Sequence, residues 1–571
     1  MSTAAFEDIE PGTGRRQQKA HPANIEHSQR LLRKLYAVGD KAWSMVGNGL
    51  SNQTFIEAPE GLIVIDTGEC VEEMQSALRE VRRYTQAPVV ACLYTHFHYV
   101  NGTTALLAEM AADNKTLPIY GHSGIDGNRA RYGGEVGPRT TRGMVHQFGI
   151  LLPTEGADGL ENVGLGQFFR NAEHQPFTPG YLPATDQFDT VSSRNIAGLE
   201  VIFTPAPSDA DDSLTIWFPA LQLCVNNLVW PALFNIFAIR GEEYRDPRKL
   251  LKGLDHLQAL GSEHLLASHG PPVSGRNEIQ GIVRDYRDAI QFIWDQTVRG
   301  ANKGLALDEL VAFVQLPKRF NRTYFTQQFY GVVEHHVKQI HAGLFGWFDE
   351  DAANLFPLPP ATRASRLVAG FGGAEIVRAQ VDAAITAKDY RWAVELASWL
   401  VRTSTDQQDR NRLASALRQI GQHTTSSNVR NWCLTRCLEL EGKLDLARFR
   451  EHRFRQEEVL AGNPARYVGI LRVLLDPLLT TDLADEVRWE FASGEVAGLQ
   501  IRGAVAIPTD GAGASLVVRL DSPAWAQVLA GKTNVHKLLD AGELDFSGDE
   551  SRLRRFLGAF DHPGLRLPGA A

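Results

Sequence analysis

Pro88-Val89-Val90-Ala91-Cys92-Leu93-Tyr94-Thr95-His96-Phe97-His98-Tyr99-Val100-Asn101-Gly102 runs a short apolar segment straight into two histidines one residue apart. The segment 88–93 has the length and the valine content of a buried strand, so the histidines stand at its mouth. On extended backbone, side chains two residues apart share a face. His96 and His98 are therefore expected to reach one divalent cation together. The remainder of the loop offers less. Val100 has no donor atom, and the neutral carboxamide of Asn101 is a poor replacement for imidazole on a borderline-soft ion.

Working outward, Lys41 to Ile65 reads as short strands with tight turns, and Gly61–Ile65 is a buried strand ending in the acidic turn Asp66-Thr67-Gly68. A helix is predicted over 71–84, another over 103–113, and a strand at 117–120 follows. Strand, helix, strand, helix implies a layered α/β body. Residues 123–195 are long, Gly-rich and weakly periodic, and are expected to wall a pocket. Strand signals return at 199–203, 214–218, 221–225 and 265–267, the last leading into Ser268-His269-Gly270. From 278 to about 442 the pattern is helical. Val377, Val381 and Ile385 lie on one face there, and Trp392, Leu396, Trp399 and Leu400 on another, so these faces need partners. Beyond 443, strands predicted at 487–491, 499–507 and 515–520, with helices at 464–479, 525–529 and 535–540, make a separate small α+β region.

At 571 residues the chain exceeds what one hydrophobic core supports, and two to four domains are expected. Its 43% hydrophobic and 22% charged residues place it with soluble globular proteins. A net charge of −9 without Lys/Arg blocks argues against nucleic acid as a partner. Five scattered cysteines do not form a disulfide framework, and Cys433 with Cys437 reads as a buried helical pair. No signal-peptide core or long apolar span is found, so the expectation is a cytoplasmic protein without an integral membrane segment.

Further segments carry a resemblance. They are Ser51–Glu57, the Gly164-Leu165-Gly166 turn, Arg240-Gly241 with Arg245-Asp246, Tyr330-Gly331 with His335, Leu344–Phe348 and Asp389–Ala393. Together with the histidine loop, and over roughly residues 33 to 565, the chain resembles the zinc-dependent alkylsulfatases of metallo-β-lactamase fold. The resemblance implies an αβ/βα sandwich followed by a helical dimerisation domain and a sterol-carrier-protein-like α+β domain. The expected boundaries are 1–32 for a polar tail, 33–276, 277–442 and 443–571.

It also implies a ligand set. The family's loop reads His-x-His-x-Asp-His, and Val100 and Asn101 stand where its Asp and second-site His would be. Its first glutamate falls at Asp209 or, with a different gap, Ser208. Its bridging glutamate falls at Asn226 or Asn227, and its Ser-His turn at Ser268-His269. The expected metal residues are thus His96, His98, Asp209, His269 and Asn227, with one ion, expected to be zinc, rather than two. Two close dications need carboxylates around them that this chain has replaced.

Arg240 and His335 are expected to hold a sulfate-like anion, Arg because its planar fork gives two parallel donors to a tetrahedral oxyanion. Arg240 also has Glu242 and Glu243 beside it as ion-pair partners, and only one of His335 and His336 is expected to matter to the site. The implied activity is hydrolysis of an alkyl sulfate or related amphiphilic ester by a homodimer. Two other readings stay open: an enzyme retuned to another reaction, and a non-catalytic amphiphile-binding homologue.

Overall fold

The computed structural model describes residues 9–111, 116–132, 134–480, 482–567 and 569. By its internal contacts the chain forms two compact units, Met1–Arg129 with Gly143–Asp445, and Ala130–Arg142 with Leu446–Ala571.

In the first unit two sheets lie face to face. One has seven strands in simple sequence order from Lys34–Val38 to Asp186–Phe188, and the other six from Ser192–Ile196 to Val273–Ser274. The first sheet begins antiparallel and turns parallel from Gly61–Ile65 through Val89–Leu93 to Ile119–His122. In the second sheet, Leu223–Asn226 and His264–Ala267 are parallel neighbours. Ile63, Ile65, Ala91 and Leu93 from one sheet and Phe203, Leu214, Ile216 and Val225 from the other form one buried cluster. Strands buried on both faces explain the nearly continuous apolar runs in the sequence.

Helix Pro247–Leu260 and helix Arg276–Ala301 cover the outer face of the second sheet. Leu250, Leu254 and Leu257 share a core with Ile279, Val283, Tyr286 and Ile290. Val333, Val337 and Ile340 of helix Val333–Phe345 join the same core. The helices from Pro360–Gly370 to Ser427–Leu440 have a core of their own, built from Val377, Val381, Leu396, Leu400, Leu413 and Cys437. The tryptophan stripe lies there, with Trp392 and Trp399 edge to face at 5.9 Å.

The polar tail expected over 1–32 is folded from residue 11 onward, and its first eight residues lie outside the described residues. Gly12–Thr13 pairs with Lys19–Ala20, and helix Pro22–Arg30 buries Asn24 and His27. The Asn24 amide donates to Thr425 O at 2.8 Å and to Ser427 Oγ at 3.0 Å. A polar stretch can thus be interior when its amides are satisfied. The region 123–195, expected as loop, contains helix Ile125–Tyr132 and helix Gly137–Gln147. The helix expected over 103–113 is a 3-10 helix at Thr103–Glu109, and residues 112 and 113 of that expectation lie outside the described residues.

In the second unit a five-stranded sheet has Glu486–Phe491 at its centre. Trp489, Trp525 and Phe556 fill the space between sheet and helices. The segment read as one strand over 499–507 is a hairpin, Val496–Arg502 against Val505–Thr509, turned at Gly503 and Ala504, both with positive φ. Among the described residues no helix is long and apolar enough to cross a membrane.

Candidate metal centre

The site lies at one end of the sandwich, where several strands finish or begin. His96 and His98 follow strand Val89–Leu93, and Asp209 lies in the loop between Leu199–Pro205 and Leu214–Phe218. Asn227 follows Leu223–Asn226, and His269 follows His264–Ala267. Placement beyond the carboxyl ends of parallel strands is usual for sites on open α/β sheets.

The histidine loop is stitched to the neighbouring strand end. Thr67 N donates to Tyr99 O at 2.7 Å and Asn101 N to Gly68 O at 3.0 Å. Gly102 ends the loop where a Cβ would lie 2.1 Å from Thr67 O and 2.7 Å from Met74 Cβ, a space that only glycine fits.

One ligand atom from each of His96, His98 and Asp209 lies within 4.8 Å of the others. His98 Nδ1 is 3.2 Å from Asp209 Oδ2, and His96 Nε2 is 3.7 Å from Asp209 Oδ1. The imidazoles converge by a route different from the expected strand alternation. His96 is extended, and the chain then enters a 3-10 turn, Phe97–Tyr99, that swings His98 back. Their ring centroids are 4.9 Å apart and the rings perpendicular.

His96 is 0% exposed, and burial pulls its pKa down to about 3, against the charge of Asp209. Burial alone would raise Asp209. The imidazoles of His96 and His98 outweigh it and hold the carboxylate well below its usual range. An ionised carboxylate is the protonation state a cation needs from Asp209.

His96 is oriented from behind. The Thr95 hydroxyl donates to Asp66 Oδ2 at 2.6 Å and lies 2.8 Å from His96 Nδ1. With its one proton given to Asp66, the hydroxyl accepts from Nδ1–H, which leaves the Nε2 lone pair facing Asp209. Asp66 is itself in the left-handed region at φ 58, and burial raises its pKa to about 7. Strain of this kind gathers at functional sites. Sequence reading missed this relay, although a buried strand ending in Asp beside a Thr-His pair was visible.

Asn227, expected as a ligand, is revised. Trp230 Nε1, which can only donate, points at Asn227 Oδ1 at 3.1 Å, so the NH2 end of the amide faces the site. That nitrogen donates to Asp209 Oδ1 at 2.5 Å and offers no lone pair to a cation. Asn227 therefore orients Asp209. Ser208, the other candidate from the sequence, hydrogen-bonds Ser213 Oγ at 2.8 Å.

His269 is also revised. Its Nδ1 faces the carbonyl of Leu50 at 3.1 Å and therefore carries the proton, so Nε2 accepts from the Tyr99 hydroxyl at 3.2 Å. Its lone pair is taken. Val100 is fully buried, and Asn101 Oδ1 accepts from Arg129 Nη1 at 2.9 Å. Asn101 and His269 thus have partners elsewhere in the protein, whereas His96 Nε2, with Asn227 Nδ2 at 3.3 Å, and His98 Nδ1, 3.2 Å from Asp209 Oδ2, turn toward one carboxylate. The donor set fits one divalent cation.

Arg240 lies close by: its charge bears on both Tyr99 and His269. Its Nη1 donates to the Tyr330 hydroxyl at 3.2 Å, and its Nε to Glu242 Oε1 at 2.7 Å. His335 is not among the residues drawn together. It meets Phe237 edge-on at 5.9 Å, and the charges it feels are those of Glu334, Lys338 and Arg391. Its neighbour His336 is the fully buried one. The charge of Arg245 reaches both His336 and His96.

This fold and donor set define a hydrolase of metallo-β-lactamase fold with a candidate seat for a divalent cation. Residues 306–443 match the alkyl sulfatase dimerisation family. The chain is 34% identical over 522 residues to a linear primary-alkylsulfatase of a Pseudomonas species, an alignment spanning 89% of this chain and 98% of the relative. It is 27% identical to an (R)-specific secondary-alkylsulfatase, also from Pseudomonas, across 92% of this chain and 80% of that one. The solved structure of an inverting secondary alkylsulfatase from Pseudomonas superposes with a TM-score of 0.83 at 26% identity, covering 98% of this chain and 89% of that one. The chain belongs to the alkylsulfatase family, hydrolases of sulfate esters built on the metallo-β-lactamase fold.

Proposed function

We propose that the chain cleaves an alkyl sulfate ester with a single divalent cation, zinc by the chemistry of its donors, held by His96, His98 and Asp209. The observation carrying this reading is the convergence of those three groups within 4.8 Å. Two imidazoles and a carboxylate with an open fourth position are the donor set of single-zinc hydrolases. When bound, the ion supplies Lewis acidity, enough to bring the pKa of a water molecule from about 15.7 toward 7.

The chain's own residues do the rest. Asp66 and Thr95 fix the tautomer of His96, Asn227 and Trp230 fix the rotamer of Asp209, and Arg240 contributes positive charge for the sulfate head. His335 is the weaker part of the expected anion seat, since its neighbours are Phe237 and helix-surface charges. The working form is a homodimer. Trp347 and Phe356, 74% and 91% exposed, lie inside the matched dimerisation segment and are apolar surface that a second copy would cover. A cytoplasmic location suits five cysteines that are all free and buried.

Metal analysis of purified protein together with sulfate release from dodecyl sulfate tests the reading. About one equivalent of zinc and zinc-dependent release are expected. Metal-free protein, or sulfate release unaffected by chelation, would overturn it.

A further inference from the structure

We infer that Glu242 is an internal competitor for the anionic head of the substrate and sets how tightly this chain holds a sulfate ester, an inference that rests on the sulfate-ester reading. Arg240 and Arg245 are both buried. Arg240 Nη1 donates to the Tyr330 hydroxyl, and Arg245 lies over the Phe234 ring at 5.9 Å. Both rings pack on Trp230, which donates to Asn227 Oδ1 and meets His269 edge-on at 5.6 Å, so both guanidiniums lie beside the metal centre.

A guanidinium holds a tetrahedral oxyanion by presenting two parallel N–H groups from one edge of its plane. On Arg240 one such edge is already filled. Nε donates to Glu242 Oε1 at 2.7 Å, and Nη2 donates to the same oxygen. The other carboxylate oxygen, Oε2, accepts from Arg245 Nη2. The Glu242 side chain is 3% exposed, so this is an interior pairing unlike a screened surface contact.

The local chain makes the pairing possible. Gly241 at φ 90 turns the backbone so that the residue two positions on folds back over Arg240. The guanidinium is also held in place. Nη1 donates to the Tyr330 hydroxyl at 3.2 Å, and that hydroxyl accepts from Gln147 Nε2 at 3.0 Å. A sulfate head reaching this edge of Arg240 must therefore displace the carboxylate or lie beside it as a buried like charge, and either route weakens binding. Glutamine at 242 keeps the shape and an accepting oxygen while removing the charge.

The test is isothermal titration of inorganic sulfate into the metal-loaded full chain at fixed ionic strength, with wild type, Glu242→Gln and Glu242→Ala in parallel. Sulfate affinity is expected to rise about tenfold in both variants, with a matching fall in KM for dodecyl sulfate. Unchanged or weaker sulfate binding in variants that retain the wild-type circular dichroism would overturn the inference. Should both single variants fail to fold, E242Q/R245Q is compared with R245Q, and tighter sulfate binding by the double variant is again required. Failure of the wild type to release sulfate from dodecyl sulfate would count against the sulfatase reading alone, because the titration with inorganic sulfate judges Glu242 without turnover.

Discussion

The first and second halves of the loop from Thr95 to Gly102 grow from the same strand end, yet they have become different kinds of structure. In the first half, His96 and His98 present nitrogen atoms to Asp209, and His96 is oriented from behind by the Thr95 hydroxyl. In the second, Val100 is packed, Asn101 receives a hydrogen bond from Arg129, and Tyr99 donates to His269. On the proposed single-cation reading, giving up a metal position involves more than losing its ligands. The groups left behind have acquired partners inside the protein, as buried polar atoms must.

The comparison can be broken most directly at its strong half. His98→Ala or Asp209→Asn is expected to bring bound metal from about one equivalent to nearly none by elemental analysis. Retention of metal by both variants would show that the three groups are not the cation's seat. Thr95→Val removes the hydrogen bond behind His96 without changing shape. It should weaken metal affinity about 10–100-fold in a competition titration with a chelator, while folded metal-free protein is recovered.

The other half should answer differently. Tyr99→Phe leaves His269 Nε2 buried and unpaired, and is expected to cost about 1–3 kcal/mol of stability with metal stoichiometry unchanged. The double change Val100→Asp, Asn101→His should bind no second equivalent while Tyr99 still occupies His269. Adding Tyr99→Phe to it is the variant that should begin to take one up. Smallest of all, His269→Gln should leave the first equivalent in place, and loss of that metal would mean the two halves are not independent.

The fold was legible because its signals are periodic and repeated. Apolar strands at 61–65, 89–93, 214–218 and 265–267 could only be stacked as buried sheets, and Val377, Val381, Leu396 and Leu400 marked helix faces that became a core. His96 and His98 were legible because few residue types bind metal, and Asp209 only because the family resemblance put an acidic ligand there or at Ser208. What sequence did not carry was direction. The amide of Asn227 reads the same whether its oxygen or its nitrogen faces the site, and Trp230, three residues on, decides it. His269 could be counted as a ligand until Tyr99, a non-ligand position in the loop pattern, was found on its lone pair. Of the adjacent His335 and His336, helix phase alone determines which is interior, and no spacing rule near Gly331 fixes that phase. The folded tail at 11–32 escaped notice because its burial depends on amide partners some four hundred residues away.

The segment Ala130–Arg142 makes its contacts within the C-terminal unit. Arg472 Nη1 reaches Glu135 at 2.6 Å, and Arg142 Nη1 reaches Phe449 O at 3.2 Å. That unit is therefore not an appendage that could be cut away at residue 445. A chain shortened there would strand the segment Ala130–Arg142 in the middle of its own remaining sequence, one residue beyond the arginine that donates to Asn101. Any gene fusion or swap that treats the carboxy-terminal piece as a cassette must carry this inner splint with it.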